Sequence, residues 1–501
     1  MRQTSGAAAG VEARSSKRLG AWIGVAAIVV VLLTAGMFYF TRQAKPVASG
    51  KIAIVVLPFT SMSTDKDQEY FSDGLAEELI AVLSRNPKLR VISRSSAFSF
   101  KGKEVDIKTI AQKLNTTHVL EGSVRKAGNQ LRITAQLIEA STDSNLWSQT
   151  YDRQLENIFA VQDDIANSVA GALKATLEGG RVPKAKQTNP EAYNAYLQGR
   201  YFFDRRSKED LEKAISYYEQ ALKIDPNYAR AWVGLSVVHG SQADSGYVSV
   251  DEGYAKARKK AEKALELDPN SAEAHWNMGW IKMIYDWDWT GADVAFKRAL
   301  KLEPANADVV RGGAFLAAIL GRFDEAIILD HRAIELDPLR VAAYNNLGIQ
   351  AYYAGRWDEA EAALRKALEL NPQYPSAHCF LGCIYLAQSR MEEALAEMQK
   401  EPEPLWRGQG LALAYHAAGK KKEADAALVE YIEKFQNDAA FQIAEIYAYR
   451  GETDKAFEWL ERAYKQRDGG LSTMKGDPLL RSIEKDPRYR AFLIKMKLPV
   501  E

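Results

Sequence analysis

Cysteine is nearly absent from this chain, which excludes a fold held together by disulfide bonds. Only two cysteines, Cys379 and Cys383, occur in 501 residues, too few for a disulfide framework. They lie four residues apart on a predicted helix and therefore on one face. No cluster of histidine or further cysteine accompanies them, so the pattern favours small apolar packing residues over a redox or metal pair. The redox compartment stays open.

The usual signatures of catalysis are also missing. The six histidines stand singly, without the spacing of metal ligands: His118, His239, His275, His331, His378 and His416. The segment "EGSVRKAGNQ" lacks the spacing of a phosphate-binding loop and lies in a predicted hairpin. Two acidic pairs, Glu77 with Glu78 and Asp163 with Asp164, fall on helix faces that we expect to be exposed. We therefore predict no enzyme, no cofactor and no metal site.

An excess of charge of one sign is lacking as well. Lysine and arginine number 66 against 65 aspartates and glutamates, a formal net charge of +1. So balanced a chain has no overall field to attract a polyanion, and we predict no nucleic-acid partner. The composition, 47% apolar and 26% charged, is that of a folded protein. The length allows roughly two to four domains.

Charge is absent altogether from residues 19–40, "LGAWIGVAAIVVVLLTAGMFYF". As a helix these 22 residues span about 33 Å at ~1.5 Å each, enough to cross a bilayer. The alternatives are a cleaved signal peptide, which has a shorter apolar core and a small-residue cleavage site, and a buried core helix. The bulky end of the run, with Trp22, Phe38 and Tyr39 near its two ends, favours an uncleaved transmembrane helix in contact with the lipid bilayer.

Basic residues flank this predicted span on both sides. Four precede it in the tail of residues 1–18, and three follow it closely: Arg2, Arg14, Lys17 and Arg18, then Arg42, Lys45 and Lys51. The small surplus on the amino-terminal side favours a cytoplasmic amino terminus. We therefore expect a single-pass protein of the bacterial inner (cytoplasmic) membrane, with the bulk of its chain in the periplasm.

Residues 51–178 alternate between strand and helix patterns. "KIAIVVLPF" is rich in β-branched residues and predicts a buried strand. "YFSDGLAEELIAVLSRN" has helical spacing, and "LRVISRSS" predicts a second strand before another helix. From His118 two turn sequences, "KAGN" and "STDSN", divide a β-meander, and an amphipathic helix follows it. The order predicts a small α/β domain with helices on one face of a mixed sheet.

These blocks resemble the TolB amino-terminal-like domain, the group related to FlgO. The likeness rests on "IAIVVLPFTSMSTDKDQEYFSDGLAEELIAVLSRN", "HVLEGSVRKAGNQLRITAQLIEA" and "LWSQTYDRQLENIFAVQDDIA". It implies an accessory α/β domain found in envelope proteins and in multidomain regulators, with no catalytic residue to carry over. Related chains add a winged-helix DNA-binding module or a nucleotide cyclase domain. In this sequence the predicted transmembrane helix and the repeats occupy the rest of the length, so we expect neither a DNA-binding module nor a cyclase domain.

The rest of the chain repeats one short phrase at a nearly fixed interval. "ALKIDP", "ALELDP", "ALKLEP", "AIELDP" and "ALELNP" end at prolines 226, 269, 304, 338 and 372, so the intervals are 43, 35, 34 and 34 residues. In the unit that ends at Pro372, positions 4, 7, 8 and 20 are Tyr344, Leu347, Gly348 and Ala360. This order resembles the tetratricopeptide repeat, in which small residues let two antiparallel helices approach and stacking buries their apolar faces.

The resemblance implies an α-α superhelix of about eight units over residues 193–470. A linker at 179–192 precedes it, and a capping segment at 471–501 follows it. Asp330 stands where these repeats usually have an aromatic or aliphatic residue, which weakens that packing site or marks a local polar contact. The predicted fold class is therefore mainly α: a single transmembrane helix, the small α/β domain and the repeat superhelix.

The first helix of each unit lines the concave wall of such a superhelix. Its positions near 2, 5, 6, 9, 12 and 13 predict a peptide-binding groove: Trp276, Asn277, Trp280, Met283, Arg311, Phe315, Asn345, Asn346, Ile349, Tyr352, Tyr353 and Phe380. Rings supply burial, and amide or guanidinium donors satisfy peptide carbonyls. For any one of these residues the alternative is packing against a neighbouring unit. Lysines that would complete a clamp for a terminal carboxylate are missing.

These features predict a membrane-tethered, non-catalytic scaffold. Its groove would recruit a protein or peptide partner, and the α/β domain would be a second interaction module. The alternative is a regulatory or signalling protein whose α/β domain senses a small ligand and whose repeats relay the state. The sequence leaves self-association open, and it does not identify the partner.

Overall fold

The structure, a computed structural model, describes residues 52–63, 68–86, 88–173 and 188–500. In these ranges one mixed sheet contains six strands: β1 Ile52–Val56, β2 Thr60–Ser61, β3 Leu89–Val91, β4 His118–Ala127, β5 Gln130–Glu139 and β6 Ser144–Gln154. The order across the sheet is β3, β1, β4, β5, β6, with β2 beside β4. β1 is parallel to β3 and β4, whereas β4, β5 and β6 form an antiparallel meander.

Four helices cover both faces of this sheet: α1 Glu69–Ser84, α2 Arg94–Phe98, α3 Ile107–Leu114 and α4 Ile158–Ala172. Successive side chains of a strand point to opposite faces. Ile54 and Val56 of β1 therefore pack with α1 and α4, while Val55 between them packs with α2 and α3. The expectation that helices cover one face only is corrected, because β1 is apolar on both sides.

In the described part of the chain, sixteen further helices follow as eight consecutive pairs. They are α5 Pro190–Arg205 and α6 Lys208–Ile224, α7 Ala229–Asp244 and α8 Val250–Leu267, α9 Ala272–Trp280 and α10 Trp289–Leu302, α11 Ala307–Ile319 and α12 Phe323–Leu336, α13 Val341–Tyr353 and α14 Trp357–Leu370, α15 Ala377–Ala387 and α16 Met391–Lys400, α17 Pro404–Ala417 and α18 Lys421–Phe435, α19 Ala440–Tyr449 and α20 Thr453–Gln466. A π-helical stretch, Ile281–Asp286, extends α9.

Glycine lets the two helices of a pair approach closely. A Cβ atom added at Gly348 would lie 2.5 Å from Cγ of Leu364, and one added at Gly382 would lie 2.5 Å from Cγ of Met398. Both contacts are far shorter than van der Waals distance, so a larger residue would push the paired helix away. Both glycines occupy position 8 of their units, where the sequence predicts a small residue.

The predicted transmembrane helix requires a correction. None of the helices in the four described ranges is long and apolar enough to cross a membrane. The longest of them, Val250–Leu267, has 18 residues and carries charges along its whole length, "VDEGYAKARKKAEKALEL". Residues 19–40 lie outside the described ranges. The fold is mainly helical with a superhelix of repeats, and the single-pass inner-membrane assignment is not retained.

The sheet and the first repeats share one apolar core. Leu75 and Leu79 of α1 belong to the same buried cluster as Tyr193 and Tyr196 of α5. A Cβ atom added at Gly74 would lie only 2.6 Å from a methyl carbon of Leu197, so α1 and α5 are in direct contact. The α/β part therefore depends on the repeats for part of its burial.

Ion pairs cross this shared core, contrary to the expectation that Glu77 and Glu78 are exposed. These carboxylates are only 8% and 5% exposed. Glu77 pairs with Arg94 and also with Arg200 of α5, whose Nη2 lies 2.5 Å away. Glu78 pairs with Arg230 of α7 at 2.8 Å. Buried acids of this kind need partners, and the repeats supply most of them.

A second contact joins the α/β part to the end of α12. The Asp337 carboxylate accepts hydrogen bonds from the hydroxyls of Ser95 and Ser96, which belong to α2. The backbone N–H of Leu339 donates to the Ser96 hydroxyl at 2.9 Å. Asp337 is 2% exposed, so these bonds are shielded from water.

Replacing Asp337 with alanine is expected to lower the free energy of unfolding by about 2–3 kcal/mol, because two hydroxyls lose a charged acceptor in a buried site. Chemical denaturation at pH 7 measures this loss. Asp268 is the matched control, since it occupies the corresponding position of an earlier repeat, and among the described residues its side chain accepts the N–H of Asn270 alone, at 3.2 Å. Equal losses for Asp337→Ala and Asp268→Ala would contradict the role of Asp337 as a contact between the two parts.

The chain after α20 returns across the array. Two 3₁₀ turns, Gly469–Thr473 and Pro478–Leu480, precede the last helix, α21 Pro487–Lys495. We call residues 467–498 the return segment. It contacts the last pair, where the Ser482 hydroxyl donates to the Ala448 carbonyl at 2.5 Å. It also reaches the third pair, where the Trp289 indole N–H donates to the Met496 carbonyl at 2.7 Å. The sequence predicts a cap on the last unit, and the structure adds this contact five pairs earlier in the array.

Candidate functional site

The first helices of five successive pairs and the return segment enclose a cavity of about 270 Å³. The helices are α11, α13, α15, α17 and α19, each of which contributes side chains to the wall. The return segment adds Gly470, Thr473, Asp477 and Leu479. The predicted groove is therefore partly closed by the chain itself, and what remains is a pocket with walls on several sides.

Aromatic rings form most of the apolar wall. Tyr352 lies beside Tyr353 and Phe380, with ring centroids 5.7 and 6.1 Å apart, and Phe380 lies 5.8 Å from Trp406. Phe315 of α11 also lines the cavity. The rings are tilted or edge-on to one another, as aromatic pairs prefer. Their successive contacts carry the apolar surface from one repeat to the next.

Two carboxyl groups line the same cavity. Glu445 of α19 is 5% exposed and Asp477 of the return segment is 1% exposed. Burial, together with the neighbouring Asp477, raises the pKa of Glu445 well above its usual range. Burial also raises the pKa of Asp477, although its hydrogen bond with Glu445 opposes this shift. Because two buried like charges repel each other, burial and proximity both favour a protonated form of this pair.

Neighbouring polar groups donate hydrogen bonds to both carboxyls. The Gln409 side-chain N–H donates to Glu445 at 2.6 Å, and the Tyr353 hydroxyl donates to Asp477 at 3.5 Å. Gln409 and Gln350 are 3% and 4% exposed. Within the described residues, the side-chain carbonyl oxygens of both glutamines lack a hydrogen-bond partner. The cavity therefore presents acceptors that have no donor.

Cations are missing from this wall. Among the described residues that line the cavity there is no lysine, arginine or histidine. Cys379 and Cys383 also line it, and both are buried free thiols. The hydrogen bond with Cys383 and burial raise the pKa of Cys379 well above its usual value, so this thiol stays neutral. The polar groups that give the cavity its character are therefore carboxyl groups and amide oxygens.

Six of the twelve predicted groove residues line the cavity: Phe315, Asn346, Ile349, Tyr352, Tyr353 and Phe380. The other six lie outside its wall. The Trp276 indole donates to the Asp308 carbonyl of the next unit at 3.0 Å, whereas Arg311 pairs with Asp308 within its own helix at 3.0 Å.

Four of these six lie deeper in the array. The Asn277 side-chain N–H donates to Ser236, and that of Asn345 donates to Ser376 at 3.4 Å. Trp280 packs against Phe315, with ring centroids 5.8 Å apart. The sixth predicted residue, Met283, is fully buried. For these residues the alternative of packing between units describes their surroundings.

Sequence reasoning missed four residues that define the chemistry of the cavity: Trp406, Gln409, Glu445 and Asp477. Trp406 and Gln409 lie on the first helix of the seventh pair and Glu445 on that of the eighth. The repeat template applied to those weaker units would have indicated them. Asp477 had no such signal, because it follows the last repeat.

Three family models match parts of the chain. Two describe the tetratricopeptide repeat and match residues 204–242 and 345–405, which confirms such repeats in the carboxy-terminal region. The third, described as "HilA/YgeH-like transcriptional regulator, second domain", matches residues 49–168. The expected likeness of this region to a TolB-type domain is not shown by these matches.

Two curated relatives share just under half of this chain. "Putative adenylate cyclase 3" of Rhizobium meliloti is 34% identical over 247 residues, which are 48% of this chain and 42% of the relative. "Transcriptional regulator HilA" of Salmonella typhimurium is 24% identical over 225 residues, 44% of this chain and 40% of the relative. The chain thus spans less than half the length of either protein.

Among solved structures, the type IV pilus biogenesis factor PilW is 19% identical and has a TM-score of 0.37, covering 42% of this chain and 93% of PilW. Pseudomonas aeruginosa PilF is 19% identical with a TM-score of 0.35, over 45% of this chain and 98% of PilF. YrrB, titled a TPR protein with an unusual peptide-binding site, is 22% identical with a TM-score of 0.26, over 36% of this chain and 88% of YrrB. Scores this low carry no argument about function.

Proposed function

We propose that this chain is a non-catalytic interaction scaffold whose repeats bind a polypeptide at the opening of the cavity. The observation that carries the proposal is the convergence of five first helices on one hollow with aromatic and amide groups. Tetratricopeptide repeats stack into surfaces of this kind, which proteins use for binding. The partner's identity is not part of the proposal.

Five half-buried residues of the cavity wall are the proposed contacts: Asn346, Ile349, Phe380, Trp406 and Gln442. Half-buried rings can be covered further by a ligand, and burial of rings dominates the energy of most interfaces. The amides of Asn346 and Gln442 carry both donors and acceptors, which suits the backbone of an extended peptide. Phe380 and Trp406 are therefore the expected anchors.

Replacing Trp406 with alanine is expected to weaken binding of a selected peptide by at least about tenfold, the loss typical of an aromatic anchor. The experiment displays a random peptide library, selects binders on the immobilised full chain and measures their affinity for each variant by calorimetry.

Trp232→Ala is the control for this experiment. Trp232 also lies on a first helix, but its indole donates to the Pro226 carbonyl at 3.0 Å, and it does not line the cavity. Peptides that bind wild type, Trp406→Ala and Trp232→Ala equally would remove the proposal. So would a library from which no peptide is enriched.

A second candidate function is a regulatory module, which the relatives named as a transcriptional regulator and an adenylate cyclase favour. The shared core would let a ligand on the α/β part affect the repeats, because Gly74 and Leu197 leave no space between α1 and α5. The full chain is needed to test this, since a fragment without α5 would expose that core. A nucleotide or metabolite that raises the melting temperature, with binding abolished by a substitution in the α/β part, would favour this candidate.

A further inference from the structure

We infer that the cavity binds a compact organic cation, an amine or a guanidinium, with Glu445 and Asp477 as its counter-charges. The inference goes beyond the proposed scaffold function, since it concerns the interior of the cavity and not its opening. It would stand even if no polypeptide bound there. The argument rests on charge, on unmatched hydrogen-bonding groups and on the aromatic walls.

The charge of the cavity is one-sided. Two carboxyl groups line it, and among the described lining residues no basic side chain opposes them. Elsewhere in the chain the buried acids Glu77 and Glu78 have arginine partners within ion-pair distance. Burying acids without a cation costs free energy. A positively charged ligand would therefore lower the free-energy cost of ionising Glu445 and Asp477 in the cavity.

The unmatched hydrogen-bonding groups are independent of this charge argument. The side-chain oxygens of Gln350 and Gln409 lack a partner among the described residues, although both side chains are more than nine-tenths buried. The orientation of Gln409 is fixed, because its N–H group donates to Glu445 at 2.6 Å. Oxygen acceptors without donors call for a ligand rich in N–H groups. Ammonium and guanidinium groups have donors and no acceptors.

The aromatic walls favour the same ligand. Rings from Tyr352, Tyr353, Phe380 and Trp406 line the cavity together with the acids, and the negative faces of such rings attract cations. A volume of about 270 Å³ admits a small ligand or a single long side chain, but not a folded segment. The chemistry therefore has two sources, a free amine or the lysine or arginine side chain of a polypeptide.

Calorimetry on the full chain tests the inference with five probes, the last being a peptide in which acetyl-lysine replaces lysine. Benzylamine and agmatine represent free cations, benzyl alcohol is the neutral counterpart of benzylamine, and a short lysine-containing peptide represents a polypeptide source. At least one cationic probe is expected to bind ten times more tightly than benzyl alcohol or the same peptide with acetyl-lysine. Binding of the free amines identifies a small-molecule site, whereas binding of the peptide alone identifies a side-chain site.

Two substitutions test the counter-charges. Glu445→Gln and Asp477→Asn each remove an ionisable group but keep its shape. The amide introduced by Asp477→Asn would keep an oxygen for the N–H of Leu479, which Asp477 now accepts at 2.8 Å. Each substitution is expected to weaken cation binding at least tenfold, with thermal melting as the check that the variant is folded.

Asp468→Asn is the matched control. Asp468 caps the first 3₁₀ turn of the return segment, as Asp477 caps the second, and it accepts the N–H of Phe441 at 2.9 Å, but it does not line the cavity. This variant should bind like wild type. Benzyl alcohol binding as tightly as benzylamine would overturn the inference. So would unchanged cation affinity in folded Glu445→Gln, or no cationic probe binding at millimolar concentration. These experiments use other probes and other variants than the peptide selection, so failure of the cation inference can be told apart from failure of the peptide proposal.

Discussion

Replacing Arg230 with methionine is expected to lower the free energy of unfolding at pH 7 by about 3–5 kcal/mol, the cost of leaving a buried charge without its partner. Two guanidinium nitrogens of Arg230 lie 2.8 and 2.9 Å from the two oxygens of Glu78. The arginine side chain is 33% exposed, whereas that of Glu78 is 7% exposed. Removing the arginine leaves the more buried charge unpaired, so it should lower the free energy of unfolding more than removing the acid does. Denaturant titration at pH 7 measures it.

The pH dependence of this loss separates charge from packing. Burial alone would raise the pKa of Glu78, but Arg230 and then Arg200 hold it below its usual value in the native protein. In Arg230→Met the larger part of that support is gone, so the pKa of Glu78 should rise and its carboxylate should take up a proton at a higher pH than in wild type. A lowered native pKa gives stability that is present above the unfolded pKa and lost in acid. The difference between wild type and variant should therefore shrink towards pH 4.

A double variant and a surface control complete this experiment. In Arg230→Met with Glu78→Leu no unpaired charge remains, and most of the lost stability is expected to return. Arg132→Met breaks an arginine–aspartate pair whose partners are 60% and 62% exposed, and it should leave stability nearly unchanged. A double variant as unstable as Arg230→Met would show that the methionine itself, and not the orphaned charge, causes the loss.

Local patterns predicted most elements of this fold. The β-branched run of "KIAIVVLPF" became β1, and the turn sequences after His118 divide β4, β5 and β6. The prolines of the repeats mark the ends of second helices, because proline cannot continue a helix. These patterns involve residues that are close in sequence, so they can be recognised from a single sequence.

Contacts between distant residues could not be read in the same way. Glu77 and Glu78 follow a polar helix pattern, and nothing near them indicates Arg200 or Arg230, more than 120 residues later. The return segment is a similar case, because its short 3₁₀ turns have no periodicity that would show where it packs. The cavity depends on that segment for Asp477, so its acidic character appears only in three dimensions.

At Asp330 the sequence predicted either a weakened packing site or a local polar contact. This residue stands at an apolar position of the repeat, it is fully buried, and within the described residues neither of its oxygens has a hydrogen-bond partner. Burial raises its pKa to about 8, and the nearby Arg311 only partly opposes this shift. At neutral pH the native protein must therefore hold a proton that the unfolded chain releases.

Replacing Asp330 with leucine, which has the same branching, is expected to raise the free energy of unfolding at pH 7. The native pKa of about 8 lies above the ordinary 3.8, so the cost of this group is absent below pH 4 and grows until about pH 8. At ~1.36 kcal/mol per pH unit, the gain at pH 7 is about 4 kcal/mol. Denaturant titrations from pH 4 to pH 8.5 should show the two stability curves diverging as the pH rises.

Asp330→Asn separates the two causes of this instability. Asparagine cannot ionise. The contribution of residue 330 to the pH dependence of stability should therefore be absent from this variant, as it is from Asp330→Leu. The polar atoms of the asparagine remain buried, however, and unsatisfied buried groups cost about 1–3 kcal/mol. The asparagine variant should therefore lie between wild type and Asp330→Leu at pH 7. If Asp330→Leu were instead less stable than wild type at every pH, Asp330 would be an ionised partner of Arg311, and this position would hold a polar contact between α11 and α12.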